Sequence, residues 1–363
     1  MLSRFDKSEI KINSNIEKNE RQINHAVLNL PEIKKKLNQL KYPFAFKSNE
    51  VSVFFPNENN QLEEFHIYKN SVLSNELEIK YPHIKTFIGY SNSRSNVKIR
   101  GSFTDNGLNG MIVLPEEIIY IQPIKNSSQG EHIYYKNKNE LYNSYSRLNC
   151  LSENKNQFKF SYNNTIQKQK KIIELDRKIS VFKIAVSATA SYTEFWGDNN
   201  NDNGSNKQDA YAAVVSTINR VNEVFETDLG IRLELVSNDS LIYDNQFNQP
   251  YRSNLSNELQ ETLSKNIGES NYDLGHLFAY SNIPDGESGC IGCVCVDGQK
   301  GRAYSIHPFI DFSGGGIFLN DYFDIDFVAH EIGHQFGAHH TFSYENEGTG
   351  VNVEPGSGST IMG

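Results

Sequence analysis

The chain lacks any apolar run near the roughly 20 residues that a membrane-spanning helix needs, which excludes a helical membrane span. Its first residues, Met1-Leu2-Ser3-Arg4-Phe5-Asp6-Lys7, lack the apolar core of a signal peptide. Positive charge is in deficit: 35 Lys and Arg stand against 44 Asp and Glu, for a net charge of -9. No basic patch stands out, so nucleic acid is not an expected partner. Cysteine is scarce, with only Cys150, Cys290, Cys293 and Cys295. Their connectivity stays open, since they can pair among themselves or with residues outside this chain. The pattern C-x-x-C-x-C also raises a second zinc site or a redox pair. Only three thiols are local, however, and Cys290 to Cys295 alternates like a strand. Disulfides are the expected state and free thiols the alternative.

At 363 residues the chain holds two domains, each large enough for a core. Residues 1–150 read as a β-rich domain with a leading helix. Residues 15–41 are charged and helical in pattern, with Ile23, Ala26, Val27, Leu30 and Ile33 spaced for one face. Strand-like runs follow at Val51 to Phe55, Ser71 to Leu73, Thr86 to Tyr90, Asn96 to Phe103, Gly110 to Leu114 and Ile118 to Ile121. Residues 151–179 form a polar linker rich in Asn and Lys, in which Lys170-Lys171 and Arg177-Lys178 offer basic cleavage points, the equal alternative being a solvated linker that is not processed.

From Ser180 to Gly363 the rhythm is α/β. Val181 to Val186 reads as a strand. Ser205 with Gln208 predicts a capping box for a helix running to Asp228, its apolar face made by Ala210, Val214, Ile218, Val221 and Phe225. Strands are expected at Ile231 to Val236, Leu274 to Tyr280 and Ile317 to Asn320, with a helix at Asn257 to Ile267. Either Cys290 to Cys295 or Ala303 to Ile306 supplies an edge strand. Asp324 or Asp326 then caps a helix starting near Phe327. The loop Asp198 to Asn203 is rich in oxygen ligands that suit calcium, but it matches no EF-hand spacing and reads as a solvated loop.

The chemistry concentrates in His330-Glu331-Ile332-Gly333-His334-Gln335-Phe336-Gly337-Ala338-His339-His340, which contains H-E-x-x-H-x-x-G-x-x-H. On a helix, His330 and His334 lie on one face about one turn apart, where two imidazoles share one zinc ion. Glu331 is placed to act on a zinc-bound water without being a ligand. A straight helix turns roughly 100° per residue and would point position 340 away, so the helix must break first. Gly337 permits the break, because glycine enters the left-handed region cheaply at a helix end. His339 sits outside the spacing and reads as a surface or supporting residue. An oxygen-activating iron site fits poorly, since it wants two histidines and a carboxylate.

The extended motif resembles the metzincin clan of zinc peptidases. Glu354-Pro355-Gly356-Ser357-Gly358-Ser359-Thr360-Ile361-Met362-Gly363 is similar to the clan's Met-turn, with Met362 as the methionine beneath the metal. Within the clan, Asn219-Arg220-Val221-Asn222-Glu223-Val224-Phe225-Glu226 and Asp228-Leu229-Gly230-Ile231-Arg232-Leu233 resemble bacterial secreted reprolysin-like (adamalysin-like) peptidases. One departure is Thr341, where adamalysins usually carry Asp. The clan normally continues past the Met-turn through a C-terminal helix, so a chain ending at Gly363 is expected to be a fragment there.

The resemblance implies a twisted mixed sheet with the zinc helix beneath it, preceded by a propeptide-like domain. It implies a zinc endopeptidase made as a latent precursor and secreted, acting on proteins or peptides, with one zinc held by His330, His334 and His340. A monomer is favoured. Glu331 would take a proton from the attacking water and pass it to the leaving amine. Substrate would pair along an edge strand near Gly289, Cys290, Ile291, Gly292 and Cys293. In several metzincin groups a propeptide cysteine occupies the fourth zinc position. Cys150 is the candidate here, although Asn149-Cys150-Leu151 does not match the known switch motifs. The competing reading from another class is a non-catalytic metzincin-like binding protein, or a fragment that folds but cannot cleave.

Overall fold

The structure is a computed structural model and describes residues 10–13, 23–40, 51–125, 130–136, 150, 152, 178–200, 204–309, 318–344 and 349–363. Most of the polar linker, with Lys170, Lys171 and Arg177, lies outside these residues, as do Asn201 to Asn203 of the Asn-rich loop.

Two-residue alternation of burial runs through the first part of the chain, as in Val51–Pro56 and Leu62–Lys69. These segments build an antiparallel sheet of nine strands. In spatial order they are Ile10–Asn13, Asn24–Leu28, Glu131–Lys136, Ile118–Pro123, Gly107–Val113, Lys98–Thr104, Lys85–Ser91, Leu62–Lys69 and Val51–Pro56. One face closes on an apolar core that includes Val53, Phe55, Phe65, Phe87, Ile99 and Leu108. Gly101 lies opposite Phe87 in the register, and a β-carbon there would meet the Phe87 ring at 2.3 Å, so only glycine leaves room for the ring.

Two sequence expectations in this part need correction. Among the described residues, the helix expected over 15–41 is confined to Leu30–Leu37, and Asn24–Leu28 is a strand. Pro31 sits in the first helical turn, where its missing N–H leaves nothing unsatisfied, and the Asn29 side chain accepts from Glu32 N at 3.3 Å. Both fix the helix start at 30. Upstream, Ala26 and Leu28 are buried while His25 and Val27 are half-buried, which is the period of a strand. Ser71 to Leu73 is not a strand either. Leu73 forms a single parallel bridge to Leu235 in the second half of the chain.

From Ser180 the chain builds a five-stranded mixed sheet. Its order is Ile231–Leu235, Ser180–Ala188, Leu274–Tyr280, Ala303–His307 and Asp285–Ser288. The first three pairings are parallel and the last is antiparallel. Both faces are covered, as a parallel sheet requires. Ile184, Val186 and Ala188 face the core that contains the long helix Asn206–Asp228, while Ala185 joins the core that contains Leu259 and Leu263 of the helix Leu255–Asn266. The long helix starts at the expected capping box, where Ser205 N donates to Gln208 Oε1 at 2.9 Å. Ala210, Val214, Ile218, Val221 and Phe225 are all buried against the sheet. The polar side of this helix is buried too, because the nine-stranded sheet packs over it: Ser216, Thr217, Asn219, Arg220 and Glu223 have little exposure.

Three further expectations differ from the structure. Gly289 to Cys293 are turns and not a strand; the sheet edge is Asp285–Ser288, paired with Ala303–His307. Gly292 and Cys295 have positive φ, 76° and 64°, which breaks an extended run, and a disulfide joins Cys290 to Cys293 across the turn. Phe318 to Asn320 are not in a strand, and Ile317 lies outside the described residues. Finally, neither Asp324 nor Asp326 caps a helix at Phe327. Helical structure begins at Asp321 and runs as a π-helix over Tyr322–Ala329, and Asp324 is buried inside it as the ion partner of Arg220 at 2.8 Å.

Candidate metal centre

The π-helical segment leads into the α-helix His330–Gln335, all six residues of which are buried. Gln335 ties the end of this helix to the sheet by donating to Gly275 O at 3.1 Å and Lys300 O at 3.0 Å. The last carbonyls of a helix have no partner within it. Here His334 O accepts from Gly337 N at 2.9 Å and from Gly292 N, inside the disulfide-closed loop, at 2.9 Å, while Gln335 O accepts from Val294 N, just past that loop, at 3.3 Å. The helix then breaks at Gly337, whose φ is 102°.

The break returns the chain so that His340 meets the two helical histidines. The three Nε2 atoms are 3.1 Å (His330 to His334), 3.1 Å (His330 to His340) and 3.2 Å (His334 to His340) apart. His330 Nδ1 lies 2.5 Å from Ile361 O, and His334 Nδ1 lies 2.8 Å from Ala338 O. A carbonyl only accepts, so both Nδ1 atoms carry the proton and both Nε2 atoms present bare lone pairs. Lone pairs do not hydrogen-bond to one another, whereas a cation at about 2 Å from each would satisfy them. Burial lowers the pKa of His330 to about 4 and holds His334 well below the usual range, which keeps both neutral, as ligands must be.

Cys150 completes the cluster. Its Sγ lies 3.5 Å from His334 Nε2, and the four donor atoms all fall within 4.8 Å of one another, a grouping that could hold a metal ion. Three imidazoles and one thiol are a donor set suited to tetrahedral zinc. The pairing that sequence left open is therefore Cys290 with Cys293, while Cys150 and Cys295 are free thiols.

Glu331 is fully buried beside this cluster. Its Oε2 accepts from the Ser152 hydroxyl at 3.0 Å, and its Oε1 has no hydrogen-bond partner. Burial raises its pKa to about 8, with a further push from Asp285 and Glu287. A cation held by the imidazoles would draw it back down. Gly286 of the edge strand faces this carboxylate, and Ser288 N donates to Ser152 Oγ at 2.6 Å. Cys150 forms a parallel bridge to Gly286, so residues 150 and 152 lie along the sheet edge and over the site.

Below the histidines, Gly363 N donates to Thr360 O at 3.0 Å and closes a tight turn around Met362. Met362 Sδ would lie 3.0 Å from a β-carbon on Gly333, so the glycine leaves the helix open to the methionine. Thr341, the departure from the adamalysin pattern, is bound into this turn. Thr341 and Thr360 both donate to Glu354, and Thr341 N donates to Met362 O at 2.9 Å. His339 lies outside the cluster and lines an open groove with Phe182 and Phe336. In the Asn-rich loop, Asp198 Oδ1 accepts from Asn200 N at 2.7 Å and Asn206 Oδ1 from Asn199 N at 3.0 Å, so these oxygens close the loop on itself. Ser152, Gly286 and Glu354 were not identified from sequence. The only sequence signal for Ser152 is its place two residues from Cys150, that for Glu354 is its place at the head of the Met-turn-like stretch, and Gly286 carries none.

The profile of the Metallo-peptidase family M12B Reprolysin-like matches residues 179–363, just over half of the chain. The chain belongs to this family. Among curated proteins, none matches it at a significant level. The crystal structure of metalloproteinase-II from Bacteroides fragilis is similar at 11% identity and a TM-score of 0.44, covering 86% of this chain and 89% of that one. So loose a likeness carries no weight beside the family match. Membership makes the reprolysin-like chain a metallopeptidase, for which the family implies zinc and protein or peptide substrates. No helix among the described residues is long and apolar enough to cross a membrane.

Proposed function

We propose that this reprolysin-like chain is a secreted zinc endopeptidase made as a latent precursor. Residues 1–150 act as the propeptide, 151–179 as the link to be cut, and 180–363 as the catalytic domain. The observation that carries the reading is the convergence of three imidazoles, two of them with their outer nitrogens fixed on carbonyls, beside a fully buried carboxylate.

His330, His334 and His340 would hold the metal, and Cys150 would be its fourth donor in the precursor. Zinc bound there supplies Lewis acidity and lowers the pKa of water in its coordination sphere. Glu331 is the general base: once Ser152 has left, its carboxylate accepts the proton of the attacking water and delivers it to the leaving nitrogen. The edge strand Asp285–Ser288 offers backbone groups to an extended peptide, as the bridge to Cys150 illustrates. In the precursor, Cys150 and Ser152 occupy that seat. The Cys290–Cys293 disulfide suits an oxidising, extracellular setting.

The test is Glu331→Ala in a chain freed of residues before 178. The expected outcome is loss of casein cleavage with zinc retained. Retained cleavage would remove Glu331 from its role, and an unaltered zinc content in His330→Ala, His334→Ala and His340→Ala would remove the histidines from theirs.

A further inference from the structure

The nine-stranded sheet is fastened to the peptidase half at both edges of the five-stranded sheet and along its long helix. At one edge, Leu235 N donates to Val72 O at 2.7 Å and Ser74 N to Leu235 O at 3.1 Å, the two bonds of the single bridge at Leu73. At the opposite edge, Cys150 bridges Gly286. Between them, Arg100 is 3% exposed and binds Glu223 at 3.0 Å and Glu226 at 2.6 Å on the long helix. The entry to the histidine helix is held as well, because the Tyr135 hydroxyl donates to Asp321 at 2.7 Å.

The apolar contact is more telling. Val72, Leu73, Leu77, Tyr81 and Ile84 belong to the same core cluster as the long helix and the peptidase sheet, and the rings of Tyr81 and Tyr211 are 4.6 Å apart. A shared core of this kind is the mark of an obligate interface, not of a transient one. Both basic cleavage points, at 170–171 and 177–178, lie C-terminal to every contact named above for the described residues of the first unit, Cys150 and Ser152 included. Cutting there removes the tether, and with it an effective concentration on the order of millimolar, but it breaks none of these contacts.

We propose that cutting the linker does not release the N-terminal unit. The unit stays bound across this surface as a noncovalent inhibitory subunit, and the site opens only when the unit itself is degraded or stripped away. The apolar cluster supplies most of the affinity, and the Arg100 pairs set the register. The inhibitory half of the proposal rests on the peptidase reading; the binding half does not.

The test uses the full chain with a site-specific protease sequence inserted between Asn163 and Asn164, cut to completion and run on size exclusion at about 1 µM. Both fragments should elute in one peak at the position of the uncut chain, with cleavage of fluorescein-labelled casein unchanged by the cut. Two separate peaks would overturn the proposal, and so would one peak with full casein turnover. Arg100→Ala should weaken the association by on the order of 10-fold, since it removes one of the two cations at each carboxylate while Lys98 stays on Glu223 and Arg232 on Glu226. The same cut in the Cys150→Ala/Ser152→Ala chain should still give one peak and raise casein turnover at least 10-fold. One peak with no turnover in that variant, although it binds one zinc per chain, would overturn the inhibitory role; no turnover and no zinc would overturn the peptidase reading, while the docking surface would stand on its elution in either case.

Discussion

Gly286 faces Glu331 so closely that a β-carbon at 286 would lie 2.5 Å from Glu331 Oε1. The edge strand can run this near the carboxylate only because it carries no side chain there. Gly286→Ala should therefore push Glu331 out of place. Displacement of about 1 Å lowers turnover on the order of 100-fold. The measurement is kcat on casein alongside zinc content. Unchanged kcat would show that the carboxylate position is not set by this contact.

The Cys290–Cys293 disulfide closes the turn from which Gly292 N donates to His334 O, and Val294 just past it donates to Gln335 O. Opening the loop should loosen the end of the histidine helix. Cys290→Ser/Cys293→Ser is expected to lower stability by about 2 kcal/mol. Amide exchange should quicken at Gly292 and Val294 before it does in the sheet. Equal exchange at those two amides in both proteins would sink the idea that the loop caps the helix.

Three histidines away from the metal cluster set an acid limit. Burial lowers the pKa of His132 to about 4 and of His276 and His307 to about 3. The folded state therefore binds fewer protons than the unfolded one between those values and about 6.5. The stability they contribute is present above pH 6.5 and is lost as pH falls toward 3. Asp326, raised to about 7 by burial, works in the opposite direction, since its stabilisation weakens as pH rises toward 7. A single histidine of this kind is worth about 2 kcal/mol between pH 8 and pH 5. His307 sits among Phe309, Tyr322, Phe323 and Phe327, so His307→Phe should reduce the fall in Tm between those pH values. An undiminished fall in that variant would assign the acid sensitivity elsewhere.

Glu354 is held ionised by Thr341, Thr360 and the amide of Ser359, which lower its pKa to about 2. It joins the residue after the third histidine to the turn that carries Met362. Glu354→Gln should loosen that turn and weaken zinc about 10-fold in a chelator competition. The wild-type contribution should persist above the ordinary carboxylate range near 4 and disappear as pH falls toward 2. Equal zinc affinity in the variant would mean that the turn holds without the carboxylate.

The parts of this molecule that were legible in sequence share one property: they follow a short local period. The apolar stripe from Ala210 to Phe225, the capping box at Ser205 and the break at Gly337 each depend on neighbours within one or two helical turns. What was not legible depends on distant partners. The polar side of the long helix reads as a solvent face until Arg100, more than a hundred residues away, is placed against Glu223. Asp324 reads as a cap until Arg220 and Thr217 are seen to bind it inside the helix. The alternation of Cys290 to Cys295 reads as a strand because sequence alone does not show that Gly292 and Cys295 turn the chain to positive φ. Leu30 to Leu37 was legible as a helix, but Pro31 should have moved its start and released the residues before it to the sheet.

The central claim is that His330, His334, His340 and Cys150 bind one zinc ion in the full chain. Zinc K-edge X-ray absorption tests it most directly, with metal content measured on the same sample. The account predicts one zinc per chain, with three nitrogen neighbours at about 2.0 Å and one sulfur at about 2.3 Å, and replacement of that sulfur by oxygen in Cys150→Ala. Zinc with no sulfur neighbour in the full chain would contradict the role of Cys150, and a chain that binds no zinc would contradict the centre itself.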